Sequence, residues 1–441
     1  MTNRLKKLIL LGGDLAILHL ALFLTIVMRY RQDQWKLNWQ NHWPSFLVIF
    51  IIWLLIIYIN NLYNLNWRIR SRQFLSATVN TVIASSLFSI IYFYLNVQSN
   101  IAPKRNLLIF IIIFVFCFFA WHSLYRFLLR SFLPQNNLAI IGLNSLSEKL
   151  LKELANNPAA SYNTALIFKG LEEIEALASS VEEKNIHSIV VCDDFGNKEK
   201  LSQALFSCLP YKLNFFNYPD FYELLSGKVP IEAIGPDWFL ANLKTGQKNY
   251  YNFFKWLFDL ILALMIFIFT LPFWLLISLG IKITGRGPIF FKQTRLGEKE
   301  KEFKIIKFRT MRTENNNFAP TEEDDHRITR FGSFLRKTRL DEIPQVINIL
   351  KGEMSFIGPR PERPEIISEL EKKIPFYKTR LLIKPGLTGW DQISGHYHSS
   401  SLEDTYEKLQ YDLFYLEHRS FYLDLSIILK TLATMMSRSG R

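Results

Sequence analysis

Cysteine is scarce. The 441 residues hold three, Cys117, Cys192 and Cys208, spaced for neither a metal site nor a disulfide framework, so they read as reduced structural residues. Acidic residues are also in deficit: 39 Asp and Glu face 52 Lys and Arg, a net charge of +13. Such an excess suits anionic lipid headgroups, nucleotide phosphates or nucleic acid. Nucleic acid is the weakest of these, since no recognised nucleic-acid motif is present. Two of the three glycines of a dinucleotide-binding turn are missing from Gly142-Leu-Asn-Ser-Leu-Ser147, so the backbone there lacks the means to approach a pyrophosphate closely. No small-residue cleavage site follows the first apolar block, which excludes a removable signal peptide.

Apolar residues are abundant and arranged in blocks. They make up 49% of the chain, with 37 Phe, yet the mean hydropathy is only +0.09; apolar segments must therefore alternate with charged, soluble parts. Residues 8–28, 44–63, 74–95 and 107–125 each approach or exceed the roughly 20 residues a helix needs to cross a bilayer. The third block is polar for a span (Ser76, Thr78, Thr81, Ser85, Ser89), as suits contacts between helices. Arg4, Lys6 and Lys7 before the first block, and Arg68, Arg70 and Arg72 between the second and third, place those ends in the cytoplasm. Arg29, Arg31 and Lys36 run against that rule. Four crossings return the chain to the cytoplasm near Arg126 and Arg130. Asp14 lies within the first block, either as a functional intramembrane carboxylate or as a group satisfied inside the bundle.

Residues 135–249 read as a soluble α/β module. Leu138–Gly142 and Ile186–Val191 read as strands, with a helix over Ser147–Asn156 between them. A fifth apolar segment, 253–283, is long enough to cross the membrane. Pro272 in its middle removes a helical hydrogen bond, and both flanks are basic: Lys244, Lys248 and Lys255 before, Lys282, Arg286, Lys292 and Arg295 after. Same-sign flanks predict a broken helix that enters and leaves on one face.

The densest chemistry lies in Arg339–Pro361. Asp341 and Glu342 precede Pro344, and the apolar run Val346, Ile347, Ile349, Leu350 closes at Gly352. Proline favours a first helical turn and glycine a C-cap, so both carboxylates are expected at a helix N-terminus, where the peptide dipoles favour negative charge. An acidic pair before a helix is also an ordinary capping pattern. Its company argues for more: Arg330, Arg336, Lys337, Arg339, Lys351, Arg360 and Arg363 surround it, as suits a phosphorylated substrate. Upstream stand Gly285–Gly297 and Phe303–Met311; downstream stand Gly358-Pro-Arg-Pro361 and Lys384–Gln392.

This ordered set resembles the bacterial sugar transferases, or monotopic phosphoglycosyl transferases, over about residues 250–441. The stretch Phe221–Pro230 with Trp238–Leu240 is similar to that family's linker, and Asp412–Thr431 to its closing pattern. The resemblance implies a membrane protein of three parts: a four-helix transmembrane bundle (1–134), a Rossmann-like module (135–249), and a mostly α monotopic catalytic domain (250–441) with a re-entrant helix at 253–283 broken by Pro272. It implies a multi-pass protein of the bacterial inner membrane with its catalytic domain on the cytoplasmic face. Hexose-1-phosphate would pass from a UDP-hexose to undecaprenyl phosphate through a covalent phosphosugar on Asp341, releasing UMP. Mg2+ would be held by Asp341, and Glu342 would orient the metal or act as acid and base. Lys307, Arg309, Arg336, Arg360, Lys384, Gln392 and Asp424 are the expected substrate-side residues. His396, His398 and Glu322–Asp325 read as loop residues. Membrane lipids are expected partners, nucleic acid is not, and a homodimer is left open. A catalytically idle scaffold for polysaccharide assembly is the other reading, opposed by the intact Asp341–Glu342 pair. A membrane-bound NAD-dependent epimerase fails at the missing glycines.

Overall fold

The computed structural model describes residues 3–30, 35–65, 69, 71–95, 103–132, 136–157, 160, 162–193, 195–243, 249–312, 325, 327–393 and 401–436. His396, His398, Glu322–Asp324 and the basic residues Arg31, Arg68, Arg70, Lys244, Lys248, Arg438 and Arg441 lie outside them. The chain is mostly helical and divides into two compact units, with the boundary between Phe221 and Tyr222.

The first unit opens with four long apolar helices, α1 (Asn3–Arg29), α2 (Trp35–Ile59), α3 (Arg72–Leu95) and α4 (Pro103–Phe132). α1, α3 and α4 contain the apolar blocks expected for them, α2 ends four residues before its block does, and each is long and apolar enough to cross a membrane. α1 packs on α2 and α4, and α3 on the same two, around a shared core of Phe46, Phe50, Trp53, Phe74, Phe110 and Phe114. The polar residues of α3 face inward: Thr78, Thr81, Ser85 and Ser89 are buried. Thr78, Thr81 and Ser89 return their hydroxyl protons to carbonyls one turn back, and Trp53 Nε1 donates to Ser89 Oγ at 3.0 Å across α2 and α3. Asp14 is fully buried, its oxygens 3.1 and 3.3 Å from His122 Nε2 on α4, so it is satisfied inside the bundle.

A parallel four-stranded sheet follows. Its elements are β1 (Asn136–Ile141), α5 (Ser145–Asn156), β2 (Tyr162–Phe168), α6 (Leu171–Ile174), α7 (Leu177–Glu183), β3 (Ile186–Val191), α8 (Lys198–Ser207) and β4 (Asn214–Asn217), in the order β2-β1-β3-β4. The turn after β1 shows what replaces the missing glycines. Asn144 caps α5, accepting from Leu146 N and Ser147 N, while Ser147 Oγ accepts from Asn144 N. The amides that greet a pyrophosphate in a dinucleotide site are thus satisfied within the chain. α9 (Tyr218–Ser226) carries the boundary between the units.

The second unit contains α10 (Pro236–Asn242), α11 (Asn249–Thr284), the antiparallel hairpin β5 (Phe290–Leu296) and β6 (Glu302–Phe308), α12 (Arg330–Lys337), α13 (Val346–Leu350), β7 (Ser355–Ile357), α14 (Pro364–Lys373), β8 (Gly386–Thr388), α15 (Leu402–His418) and α16 (Phe421–Met436). Its core takes in Val229 and Ile231, and Val229 N bonds the Gln410 carbonyl at 3.1 Å. The segment 222–243 therefore packs into the second unit, whereas the sequence places the junction at 249. α11 differs from expectation as well. It is one uninterrupted helix of 36 residues with Pro272 inside it. Proline deletes a single backbone bond, and side chains brace the turn: Thr270 Oγ1 donates to the Ile266 carbonyl at 2.7 Å and Trp274 Nε1 to Thr270 Oγ1 at 3.0 Å.

Candidate active site

The site is assembled where β6, α12 and the turn before α13 meet. α12 ends at Lys337, and the chain reverses through Arg339, held in the left-handed region at φ 57°. A 3-10 turn, Leu340–Gln345, then runs directly into α13. Asp341 and Glu342 lie in the first turn of this composite helix, one turn earlier than a start at Pro344 implies. Gly352 closes it as expected, at φ 75°. Asn348, fully buried, ties α13 to β6: its Oδ1 accepts from Ile306 N at 3.1 Å and its Nδ2 donates to the Lys304 carbonyl at 2.8 Å. The next residue of β6, Lys307, is thereby set beside the carboxylates.

Glu342 is the hub. Its Oε1 receives Lys307 Nζ at 2.7 Å and Arg360 Nη2 at 3.2 Å, and its Oε2 lies 3.9 Å from Arg339 Nη1. Burial alone would push this carboxyl up; Lys307, Arg360 and Arg339 outweigh it and bring the pKa down to about 2. Burial and the neighbouring Arg360 lower Lys307, against the pull of Glu342. Asp341 moves the other way. Burial and then the Glu342 charge raise it, opposed by Lys307, Arg336 and Arg339. Its Oδ1 is buried and accepts no hydrogen bond among the described residues, which leaves that atom open to water or a ligand. Two adjacent carboxyls thus have opposite environments, the usual sign of divided roles. Arg336 acts on Asp341 through its charge, and its Nε donates to Thr310 Oγ1 at 2.9 Å. An open carboxylate oxygen is a hard donor of the kind Mg2+ takes, while the cations around it suit phosphate oxygens.

The Gly358-Pro-Arg-Pro361 and Lys384–Gln392 motifs also meet. β7 and β8 pair in parallel, Gly358 N bonds the Thr388 carbonyl and Gly386 N the Pro359 carbonyl. A Cβ on Gly358 would sit 2.4 Å from the Lys384 carbonyl oxygen, and one on Gly386 2.1 Å from Gly358 N, so both positions exclude any other residue. Lys384 Nζ lies beside Gly352, at the end of the helix that carries the carboxylates. Gln392 Nε2 is buried without a hydrogen-bond partner among the described residues.

Two expected substrate-side residues are engaged elsewhere. Arg309 is buried, and its guanidinium donates to the carbonyls of Ile281, Gly285 and Arg286 at 3.2, 2.6 and 2.7 Å. It satisfies the orphan carbonyls at the C-terminal end of α11, which leaves its fork little to offer a phosphate. Asp424 accepts from Tyr251 at 2.7 Å and Tyr415 at 2.8 Å and pairs with Lys255 at 3.3 Å. It contacts α11 and none of the cations around Glu342. Sequence reasoning missed Asn348, and also Arg380, buried against Asp412 at 2.9 Å while donating to the Arg360 carbonyl at 3.0 Å. It missed Asp259 too, although a carboxylate in an apolar segment is itself a signal.

The bacterial sugar transferase family profile matches residues 250–438. A UDP-glucose:undecaprenyl-phosphate glucose-1-phosphate transferase of Xanthomonas campestris pv. campestris is 31% identical over 345 residues, 71% of this chain and 71% of that protein. A UDP-N-acetylgalactosamine-undecaprenyl-phosphate N-acetylgalactosaminephosphotransferase of Aeromonas hydrophila is 34% identical over 49% of this chain and 51% of its own. A UDP-glucose:undecaprenyl-phosphate glucose-1-phosphate transferase of Escherichia coli (strain K12) is 38% identical over 39% and 38%. The last two matches thus span about half or less of those proteins. The chain belongs to the bacterial sugar transferase family, and it is a transferase.

Proposed function

We propose that this protein transfers hexose-1-phosphate from a UDP-hexose to undecaprenyl phosphate at the cytoplasmic face of the bacterial inner membrane, starting a surface polysaccharide. A carboxylate oxygen of Asp341 bonds the β-phosphorus as the bond to UMP breaks. A phosphate oxygen of undecaprenyl phosphate then bonds the same phosphorus, the bond to Asp341 breaks, and the carboxylate is restored. The observation that carries this reading is the buried, unpartnered Asp341 Oδ1 among cations. Glu342, held ionised by three cations, suits the orienting of Lys307 and Arg360 rather than proton transfer. Arg336, Lys307 and Arg360 supply charge to the transferring phosphoryl oxygens. Magnesium held by Asp341 and substrate phosphates would supply further charge neutralisation. The three relatives' names share the acceptor and differ in the donor, so a UMP-release assay with undecaprenyl phosphate, magnesium and a panel of UDP-sugars tests the reading and names the sugar. No release with any donor would refute it.

The pH profile is a second check. Attack requires ionised Asp341, whose pKa lies above the ordinary 3.8, so the acid limb of kcat/KM is expected above that value. Lys307→Met removes a cation that favours the ionised form, and the limb should move to higher pH. An unmoved limb would detach Lys307 from Asp341.

We further infer that the first four helices form a transmembrane bundle while α11 does not cross. Much of α11 is exposed and apolar, including Phe253, Ile268, Phe269, Leu275 and Leu279. Yet both halves pack on the same unit: Ala263 in the main core, and Ile277 and Ile281 against Phe308 and Leu335. If α11 crossed, these parts of one folded unit would have to pack along it within about 30 Å of hydrocarbon. Single cysteines near Lys248 and near Gly287 should therefore both be labelled from the cytoplasm only. Labelling near Gly287 from outside would overturn the topology.

A further inference from the structure

Three polar residues interrupt the apolar surface of α11 at intervals of four, Tyr251, Lys255 and Asp259. That spacing places them on one face of the helix. Asp259 is buried, and its Oδ1 accepts from Phe356 N at 3.3 Å. β7 explains why. Its pairing with β8 runs through Ser355 and Ile357, so the Phe356 amide points away from β8, from a residue that is itself buried. Without a partner it would be an orphan donor. Ser355 bonds the same carboxylate, and its Oγ accepts from Ile357 N at 3.2 Å. The other two stripe residues act through Asp424. Tyr251 and Lys255 hold its Oδ2, and Tyr415 donates to its Oδ1 with the Ile357 carbonyl 3.4 Å away. β7 is therefore held from α11 at Phe356 directly, and Tyr415, which Asp424 orients, lies against Ile357. Three residues on from Ile357, past glycine and a conformationally fixed proline, Arg360 reaches Glu342.

We propose that the stripe Tyr251, Lys255 and Asp259 is the positioning element of the active site: through β7 it sets the Arg360 guanidinium against Glu342. These are positioning residues, since none lies against the reacting atoms. The device ties the chemistry to the seating of the membrane helix, because a shift of α11 moves the strand that leads to Arg360. The inference rests on the transferase reading for its kinetic consequences but not for its structural ones.

The test uses the full chain in nanodiscs. Asp259→Ala should lower kcat about tenfold to a hundredfold with little change in KM for the UDP-sugar, as for a modest misplacement of a catalytic group. Asp259→Asn keeps an oxygen for the Phe356 amide and should retain at least half the activity. In an Arg360→Ala background, Asp259→Ala should add no further loss, because the two act in one chain of contacts. Independently of any reaction, hydrogen exchange across Met354–Pro361 should rise in Asp259→Ala and stay at the native level in Asp259→Asn. Additive losses, equal damage from Asn and Ala, or unchanged exchange in Asp259→Ala would each overturn the proposal. Absence of UMP release from every variant and the native chain would refute the transferase reading instead, leaving the exchange result to decide this one.

Discussion

Asp341→Asn is expected to abolish turnover while leaving the chain folded and membrane-bound. The amide keeps the shape of the carboxylate and loses its charge and its capacity to form an acyl phosphate bond. Nucleophiles of this kind typically account for losses on the order of 10³-fold or more. The surroundings tolerate the change, since Asp341 Oδ1 has no hydrogen bond to lose among the described residues, and removing a negative charge beside Glu342 relieves a repulsion. Mass spectrometry of the native protein incubated with UDP-sugar but without acceptor should find a hexose-phosphate adduct on Asp341, absent from the variant. An adduct on another residue, or full activity in Asp341→Asn, would sink the assignment.

The second large effect concerns where the catalytic unit begins. Every residue placed in the site lies beyond position 300, so the first unit is expected to be dispensable for the chemistry. A chain starting at Tyr222 should fold, bind membranes and retain transfer. One starting at Asn249, where the sequence alone places the junction, should not. It loses Val229 and Ile231 from the core, the bond from Val229 N to Gln410, and the Gly227 carbonyl that accepts from Trp390 Nε1 at 3.0 Å. Burying two such aliphatic side chains contributes about 3–6 kcal/mol, against a typical total stability of about 5–15 kcal/mol. Expression, extraction and UMP release of the two truncated chains would check this. Equal activity of both would show that residues 222–248 are an accessory, and inactivity of a folded Tyr222 chain would place part of the site in the first unit.

The pattern of hits and misses has a physical basis. Apolar runs read reliably, because a helix that must satisfy its own backbone in hydrocarbon needs a long uninterrupted stretch, and each of α1 to α4 lies on its expected block to within a few residues. The strand Ile186–Val191 was legible from its Ile189-Val-Val191 end, because buried parallel strands are rich in β-branched residues. The acidic pair, its closing glycine and the cations Lys307, Arg336 and Arg360 were legible because charge and motif order are local properties. Arg309 and Asp424 were misread because charge does not reveal what it faces. Whether a guanidinium meets a phosphate or three carbonyls at a helix end depends on how Gly285 and Arg286 fold back, and no local signal encodes that.

By itself, then, the sequence determined which segments are apolar, that an acidic pair stands among ordered basic motifs, and which family the chain joins. These follow from residue type, spacing and order. Tertiary structure decided the rest: that Glu342 is the bound carboxylate and Asp341 the open one, that α11 continues through Pro272, and that residues 222–243 belong to the second unit. It also decided that Asp259 serves a strand nearly a hundred residues away. Each depends on contacts between distant parts of the chain, where the buried Phe356 amide had to find an acceptor and the fold placed Asp259 beside it.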